Sequence, residues 1–249
     1  MSQFHLHNKA ILITGASSGI GRQIAISASQ MGGNVIITGR DESRLNETFL
    51  KLGEGSHQQI IADLLNQEQL ISLVDKLPGI DGIVHCAGIV KPFPVKFINH
   101  DKIKETFDVN YNLQLLLMAQ VSRKKKLNKD ASIVFSSSIS AAHPHKGGAL
   151  YSGSKAALES FSKVLVLEFS NLKLRSNCIA SAMVKTPMYE YAQQQGSKEQ
   201  MDEHVNKYPL GVGLPEDVAN AAIFLLSNAS RWMTGQTITL DGGFLLGDF

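Results

Sequence analysis

Short runs of apolar and β-branched residues alternate along the chain with amphipathic segments of helical length. Seven runs predict β-strands, at residues 10–14, 34–38, 59–62, 82–86, 132–136, 176–180 and 237–240. These runs are apolar on both faces, which is typical of parallel strands covered by helices on both sides. Amphipathic stretches such as residues 21–31 supply the covering helices. The pattern predicts an α/β fold with a doubly wound, seven-stranded parallel sheet.

A longer polar segment, residues 188–208, interrupts this alternation after the sixth strand. It has helical character on both sides of Gly196 and carries Met188, Tyr189, Tyr191 and Met201 among polar residues. Such a segment is typical of a lid that closes over a substrate. No linker or internal repeat divides the chain, so we expect one domain over residues 1–249, with a lid at about 187–208.

Composition narrows the classes of partner. The 249 residues include 24 basic and 22 acidic side chains, and this net charge of +2 does not favour nucleic acid or a membrane surface. The sequence has no apolar run of about 18 residues that would predict a membrane span. Cys86 and Cys178 lie far apart in apolar runs and form no disulfide framework. We therefore expect a cytoplasmic protein with small-molecule partners and no bound metal.

The first predicted strand leads into the segment Thr14-Gly15-Ala16-Ser17-Ser18-Gly19-Ile20-Gly21, which opens the first predicted helix. Glycines allow a sharp turn and let a pyrophosphate approach the unpaired N–H groups of a helix N-terminus, where the helix dipole favours negative charge. A strand, a glycine-rich turn and a helix in this order predict a dinucleotide site.

With this motif and with Tyr151 and Lys155 in a Tyr-x-x-x-Lys pair, the sequence resembles the short-chain dehydrogenase/reductase family. The resemblance covers essentially the whole chain. It includes Asp63 beside the adenine, Asn110 on a helix, the catalytic serine at Ser138, Thr186-Pro187 after the sixth strand and the turn Asp241-Gly242-Gly243. The resemblance implies a Rossmann domain and a cofactor site made by Gly15, Ser17, Ser18, Gly19, Ile20, Gly21, Arg40, Asp63, Leu64, Ala87, Gly88, Asn110, Tyr151, Lys155, Val184 and Thr186.

The end of the second strand indicates which nicotinamide dinucleotide is bound. An acidic residue there accepts hydrogen bonds from the ribose of NAD and repels the 2′-phosphate of NADP. This chain has Gly39 followed by Arg40, about 20 residues after Gly21, and a guanidinium suits a phosphate. Many NADP-dependent relatives carry a basic residue where this chain has Ser18. The sequence favours NADP, with NAD as the alternative, and Arg40 could also simply cover the surface beside Asp41.

Reduction of a ketone needs hydride on carbon and a proton on oxygen, so the site needs a general acid. A tyrosine can supply the proton, and a neighbouring ammonium would lower its pKa from about 10. Lys155 shares a helix face with Tyr151, so we expect its ammonium to lower the pKa of the Tyr151 phenol. The resemblance implies that Lys155 also binds the nicotinamide ribose, that Ser138 orients the carbonyl and that Asn110 anchors a relay water. Ser136, Ser137 and Ser140 compete with Ser138.

Two motifs depart from the family pattern. His85-Cys86-Ala87-Gly88 stands where the family has Asn-Asn-Ala-Gly, which predicts a less secured turn. Ser181-Ala182 replaces the common Pro-Gly, which loosens a turn near the nicotinamide and makes Val184 and Thr186 the least secure cofactor contacts. The roles of His85, Cys86, His143 and His145 stay open, and the two later histidines could contact substrate or be simply exposed.

The expected function is NADP(H)-dependent interconversion of a ketone and a secondary alcohol. Overall resemblance is greatest to the 3-oxoacyl-acyl-carrier-protein reductase branch, which implies a carrier-bound acyl group as one candidate substrate. Sugar, polyol or other small-alcohol oxidation is the alternative, and a non-catalytic NADP-binding regulator or scaffold is the second. The helices that carry residues 113–118 and 151–167 have surplus apolar surface, and we expect them to pair in a homotetramer of twofold symmetry.

Overall fold

The computed structural model describes residues 3–195 and 197–247. Within these residues one sheet contains seven strands in the order β3-β2-β1-β4-β5-β6-β7, and all neighbouring strands are parallel. The strands are β1 (Ala10–Thr14), β2 (Asn34–Gly39), β3 (Gln58–Ile61), β4 (Ile80–His85), β5 (Leu127–Ser138), β6 (Arg175–Ser181) and β7 (Thr237–Leu240). The predicted doubly wound α/β fold is confirmed.

Helices connect the strands and cover the sheet on both faces. They are α1 (Gly19–Gln30), α2 (Glu42–Phe49), α3 (Gln67–Lys76), α4 (His100–Phe107), α5 (Leu113–Arg123), α6 (Ala149–Glu168), α7 (Pro187–Gln195), α8 (Lys198–Val205) and α9 (Pro215–Leu226). A π-helical turn, Asp108–Asn112, joins α4 to α5. None of the helices in the described ranges is long and apolar enough to cross a bilayer.

Two apolar cores form because the central strands bury side chains on both faces. Ile11 and Ile13 pack against α1 and α9, whereas Leu12 between them packs with α3, α5 and α6. On the first face α1 and α9 meet through small side chains, Ala25, Ala28, Ala219 and Ala222, which allow the helices to approach closely. The alternation of sides along β1 explains why its apolar run has no polar face.

The strand order places the site. Strand β1 lies between β2 and β4, so the chain winds away from β1 in both directions, and the crevice opens at the carboxyl ends of these strands. Predicted and observed strands differ mainly at β5, which begins at Leu127 instead of residue 132. Leu127 pairs with Ile80 across a register shift, and this irregular pairing extends the strand through polar residues.

Candidate active site

The glycine-rich turn after β1 packs directly on the turn after β4. Gly15 has φ +65°, and a Cβ at this position would lie 2.7 Å from the backbone N of Ala87. A Cβ on Gly21 would lie 2.4 Å from the carbonyl oxygen of Gly15. The hydroxyl of Thr14 accepts hydrogen bonds from the backbone N–H of Cys86 at 3.2 Å and of Ala87 at 3.4 Å. Only glycine fits at these two positions, and Thr14 fastens the turn to the end of β4.

The N-terminus of α1 faces the crevice with uncapped N–H groups. Its N-cap residue, Ser18, makes no side-chain capping hydrogen bond, and the first turn contains no acidic residue. Gly19 has φ +52° and lies against Thr186, whose Cγ2 would be 3.2 Å from a Cβ there. Free N–H donors, a positive dipole end and absent side chains fit the pyrophosphate of a dinucleotide.

Arg22 fastens the same turn from the helix side. Its guanidinium donates to the carbonyl oxygen of Ser17 at 2.6 Å, to the hydroxyl of Thr48 at 2.9 Å and to the carboxylate of Glu47 at 3.0 Å. These bonds link the glycine-rich turn to α2. Sequence reasoning missed Arg22 because its partners come from two separate segments.

The end of β2 borders the turn. A Cβ on Gly39 would lie 3.5 Å from the Ser17 hydroxyl, so a side chain there would enter the crevice beside the glycine-rich turn. Arg40 is exposed and makes no hydrogen bond or ion pair within the described residues. Asp41 instead pairs with Arg44, at 2.7 Å, and caps α2 through the N–H of Arg44. The guanidinium of Arg40 is therefore available to an anion.

Asp63 and Leu64 follow β3 at the far side of this crevice. The Asp63 carboxylate accepts from the backbone N–H of Leu65 at 3.1 Å, while the Asp63 N–H donates to Gln69 at 2.7 Å. Leu64 is buried in the core beneath. Both lie next to the end of β2, because the backbone N–H of Ala62 donates to the carbonyl of Gly39 at 3.1 Å.

The structure brings Ser138, Tyr151 and Lys155 together. Ser138 ends β5, Tyr151 and Lys155 lie on the first turns of α6, and the Ser138 hydroxyl hydrogen-bonds the Tyr151 phenol. The ammonium of Lys155 lies 5.6 Å from the centre of the Tyr151 ring and donates to the carbonyl oxygen of Ser136 at 2.6 Å.

The neighbouring serines are engaged elsewhere. The Ser137 hydroxyl donates to Glu159 at 2.7 Å, and the backbone N–H of Ser140 donates to the Ser138 hydroxyl at 3.2 Å. Ser136 contributes its carbonyl to Lys155. Of these competing residues, Ser138 is the one in contact with the phenol.

The predicted direction of the Tyr151 pKa shift is wrong. Burial raises the pKa of the Tyr151 phenol above its ordinary value, and the hydrogen bond from Ser138 offsets only part of this rise. Burial also lowers the pKa of Lys155 to about 8. Burial is the largest cause of both shifts, and the Lys155 ammonium donates to the Ser136 carbonyl. The phenol therefore keeps its proton at neutral pH.

Asn110 lies in the π-helical turn and is fully buried. Its amide accepts from the backbone N–H of Ile89 at 2.8 Å and donates to the Ile89 carbonyl at 2.9 Å and to the Ser154 hydroxyl at 3.2 Å. The Ser154 hydroxyl donates in turn to the carbonyl of Tyr151 at 2.7 Å. Asn110 thus joins the turn after β4 to the helix of the tyrosine and lysine, and π-helical turns often occur at functional sites.

Gly88 lies between the side chains of Asn110 and Lys155. A Cβ at this position would lie 3.4 Å from the Asn110 Oδ1 and 3.6 Å from the Lys155 Nζ. Gln114, one helical turn after Asn110, donates to the carbonyl of Ala87 at 3.0 Å. Sequence reasoning missed Gln114 and Ser154, although the four-residue spacing of Gln114 from Asn110 was a usable signal.

His85 and Cys86 lie on opposite sides of the sheet. The His85 ring is fully buried and stacks on Phe135 at 4.6 Å, and neither ring nitrogen has a hydrogen-bond partner in the described residues. Burial lowers the pKa of His85 to about 3 and raises that of Cys86 to about 12. Both side chains are therefore neutral at pH 7.

The turn after β6 lies against the glycine-rich turn at Gly19 and leads into the segment that the sequence predicts to be a lid. Val184 bridges to Gly213, and the Thr186 hydroxyl donates to the Val184 carbonyl at 3.2 Å and accepts from the Tyr189 N–H at 3.3 Å. Helices α7 and α8 form the predicted lid segment, with Met188 and Tyr191 exposed. Gly196 between them lies outside the described residues.

The loop between β5 and α6 carries His143 and His145, both exposed. It packs on the segment after β4, because the Phe93 N–H donates to the Gly147 carbonyl at 2.8 Å. Among the described residues, no group of three or more histidine, cysteine, aspartate or glutamate side chains is placed to hold a metal ion.

Comparison with known proteins agrees with this geometry. A family model described as enoyl-(acyl carrier protein) reductase matches residues 15–245. The chain is 34% identical over 242 residues to a 3-oxoacyl-[acyl-carrier-protein] reductase of Rickettsia felis, covering 97% of this chain and 98% of the relative. It is 29% identical to trihydroxynaphthalene reductase of Pestalotiopsis fici, over 95% and 89% of the two chains.

A solved structure of a short-chain glucose/ribitol dehydrogenase from Brucella melitensis superimposes with a TM-score of 0.89 at 28% identity, covering 98% and 99% of the two chains. This chain belongs to the short-chain dehydrogenase/reductase family. It is accordingly a nicotinamide-dependent oxidoreductase that acts on alcohols and carbonyl groups.

Proposed function

We propose that this protein is an NADP(H)-dependent 3-oxoacyl-acyl-carrier-protein reductase. The observation that carries the proposal is the cluster of Ser138, Tyr151 and Lys155 at the carboxyl end of the sheet, in contact through the phenol and beside the glycine-rich turn. The relative from Rickettsia felis supports the acyl substrate, because the match spans both chains almost completely.

The cofactor-binding residues contact different parts of the dinucleotide. The N–H groups of the turn formed by Gly15, Ser17, Ser18, Gly19, Ile20 and Gly21 bind the pyrophosphate, Asp63 and Leu64 border the adenine, and Ala87 and Gly88 leave room for the dinucleotide. Lys155 holds the nicotinamide ribose, and Val184 and Thr186 meet the carboxamide. When bound, the dinucleotide supplies the hydride.

Ser138 holds the substrate oxygen against Tyr151, which donates the proton. The raised pKa of the phenol supports reduction, since the acid stays protonated at neutral pH. Asn110 belongs to the catalytic group through its hydrogen bond to Ser154, which fixes the backbone of Tyr151.

Arg40 supports the choice of NADP, because it is exposed, unpaired within the described residues and adjacent to Gly39. We expect Arg40→Asp to shift the preference toward NADH, since the carboxylate repels the 2′-phosphate and accepts from the ribose. The ratio of kcat/KM for NADPH to that for NADH should fall by at least about tenfold, as one charged contact is lost and a repulsion is added. Arg44→Asp, which only breaks an ion pair with Asp41, is the control. An unchanged ratio in Arg40→Asp contradicts the assignment.

The substrate class is tested by following NADPH oxidation with a 3-oxoacyl thioester on acyl-carrier protein. We expect kcat/KM for this substrate to exceed the values for free ketones, and for sugars and polyols in the oxidative direction. Higher activity with a sugar or polyol would favour the alternative family function. No turnover of any of them, with cofactor binding intact, would favour a regulator or scaffold.

We further propose that the protein acts in the cytoplasm as a homotetramer. Apolar side chains on the surfaces of α5 and α6 support this assembly: Leu116, Val164 and Leu167 are exposed.

A further inference from the structure

The turn after β6 is held by a side chain from the end of the lid. This turn contains Ser181-Ala182 where a Pro-Gly pair would restrict the backbone. The backbone N–H of Met183 donates to the hydroxyl of Tyr208 at 3.3 Å. The other bonds of this turn are backbone bonds to Leu240 and Gly213 and a local bond from the Thr186 hydroxyl to the Val184 carbonyl: the N–H of Ala182 donates to Leu240 at 2.9 Å, the N–H of Gly213 donates to the Met183 carbonyl at 3.2 Å, and the Gly213 carbonyl accepts from Lys185 at 2.9 Å. The Tyr208 hydroxyl is thus the side-chain restraint on Met183.

Tyr208 is itself firmly placed. It is 6% exposed, and its ring stacks on Phe244 with the ring centres 4.7 Å apart. The backbone carbonyl of Tyr208 accepts from Gly211 at 2.9 Å, and the N–H of Leu210 donates to the Gly242 carbonyl at 3.1 Å. The phenol therefore has little freedom to leave Met183.

The same hydroxyl also reaches the lid. It lies 3.4 Å from the Nε2 of His204 on α8, and the His204 ring packs on Phe244 with the ring centres 5.1 Å apart. A hydroxyl can accept one hydrogen bond and donate another, so Tyr208 accepts from Met183 and donates to a neutral His204.

Tyr208 and His204 both have the protonation state that these two hydrogen bonds require. Burial, with Asp241 and Tyr189 nearby, raises the pKa of Tyr208, against a smaller effect of the Met183 N–H. Burial, with Lys207 and His145 nearby, lowers the pKa of His204. The phenol is protonated and the imidazole neutral at pH 7.

We propose that Tyr208 is a positioning residue: its hydroxyl holds the turn at Met183 in the conformation that receives the nicotinamide half of the cofactor, and joins this turn to lid helix α8. The inference rests on the proposed function, in which Val184 and Thr186 meet the carboxamide. The Ser181-Ala182 pair leaves the backbone less rigid than Pro-Gly would, and the hydrogen bond from the Met183 N–H to the Tyr208 hydroxyl compensates for this.

The test is Tyr208→Phe, which keeps the ring stacked on Phe244 and removes only the hydroxyl. Dissociation constants are measured for NADPH and for 2′,5′-ADP, which has the adenosine half but no nicotinamide. We expect the constant for NADPH to rise about fivefold, the effect of one net hydrogen bond, and that for 2′,5′-ADP to stay the same. Tyr111→Phe is the matched control, because the Tyr111 ring packs on Phe107 and Phe161 and its hydroxyl has no hydrogen bond within the described residues. It should change neither constant.

An unchanged NADPH constant in Tyr208→Phe, or an equal loss for both ligands, would overturn the proposal. Hydrogen exchange of the Met183 amide without ligand provides a second measurement, and it should become faster in Tyr208→Phe. Equal exchange rates would also overturn it. Failure of the proposed function would give a different result: the wild-type protein would bind neither NADPH nor NADH. In that case the exchange rate of the Met183 amide would still show whether Tyr208 restrains the turn.

Discussion

The phenol of Tyr151 and the ammonium of Lys155 respond to the same burial in opposite ways. Removal from water disfavours the charged form of each, so the pKa of the phenol rises and the pKa of the ammonium falls to about 8. The proton donor is therefore secure at neutral pH, whereas the charge of the lysine lies within about one pH unit of being lost. The lysine, and not the tyrosine, should set the upper pH limit of the reaction.

For ketone reduction, kcat/KM should be level near pH 7 and fall as pH rises through about 8, because deprotonation of Lys155 removes the charge that holds the ribose. The measurement is the pH profile of kcat/KM for NADPH with saturating ketone. Lys155→Met should lower the level at pH 7 and abolish this descending limb. Lys163→Met, an exposed lysine further along α6, should keep the wild-type profile. A wild-type profile that stays level to pH 9.5 would contradict this role of Lys155.

At this scale the sequence indicated candidate residues, but not how burial shifts their pKa values. Tyr151 and Lys155 were singled out by the family resemblance, and their four-residue spacing places the two side chains on one helix face. The direction of the Tyr151 pKa shift depends on how deeply the phenol is buried. It also depends on the carbonyl of Ser136, to which the Lys155 ammonium donates. Neither quantity is encoded in local spacing.

At the scale of single elements, the glycine-rich turn depends on close contact between two loops. Gly15 needs a left-handed backbone and also the space beside Ala87. Gly235 has a similar φ of +69°, but a Cβ there would meet nothing within 4 Å. The two glycines therefore separate the cost of backbone strain from the cost of steric overlap.

Gly235→Ala should lower the free energy of unfolding by about 1 kcal/mol, the cost of a left-handed alanine. Gly15→Ala should cost at least about 2 kcal/mol more, because the methyl overlaps the backbone of Ala87, and it should also abolish NADPH binding. Urea unfolding and a binding titration measure both effects. Equal stability losses in the two variants would show that the close packing of the turns has no energetic consequence.

The positions of most elements followed from the apolar pattern, since parallel strands buried on two faces leave a clear signal in β1 and β2. The polar start of β5, Leu127 through Asp130, gave no such signal, because pairing with Ile80 and not burial extends it. The contacts of Tyr208 could not be predicted from the apolar pattern of the sequence either. They join residues from β6, α8 and the C-terminal turn, which only the complete fold brings together.

For the whole molecule, the surfaces of α5 and α6 are the main evidence for assembly. Leu116 on α5 is 50% exposed, and Val164 and Leu167 on α6 are 41% and 76% exposed. Both helices cover the same face of the sheet, and exposed apolar side chains on them favour burial against a second copy.

We expect a tetramer in solution and dissociation to smaller species when a charge is placed on this surface. Val164→Asp and Leu116→Asp should lower the molar mass measured by light scattering, since a buried carboxylate without a partner is costly. Leu50→Asp, at an exposed position after α2, should leave the mass unchanged. A wild-type protein that is monomeric at micromolar concentration would contradict the expectation.

Of the proposed roles, proton donation by Tyr151 in the reduction of a 3-oxoacyl group is the central one. The most direct measurement is NADPH oxidation on a 3-oxoacyl carrier-protein thioester by the wild type, Tyr151→Phe and the control Tyr111→Phe. We predict that kcat falls by about 10²- to 10⁴-fold in Tyr151→Phe, the usual contribution of a general acid, with NADPH still bound and the control unaffected. Turnover by Tyr151→Phe within a few-fold of the wild-type rate would contradict the account.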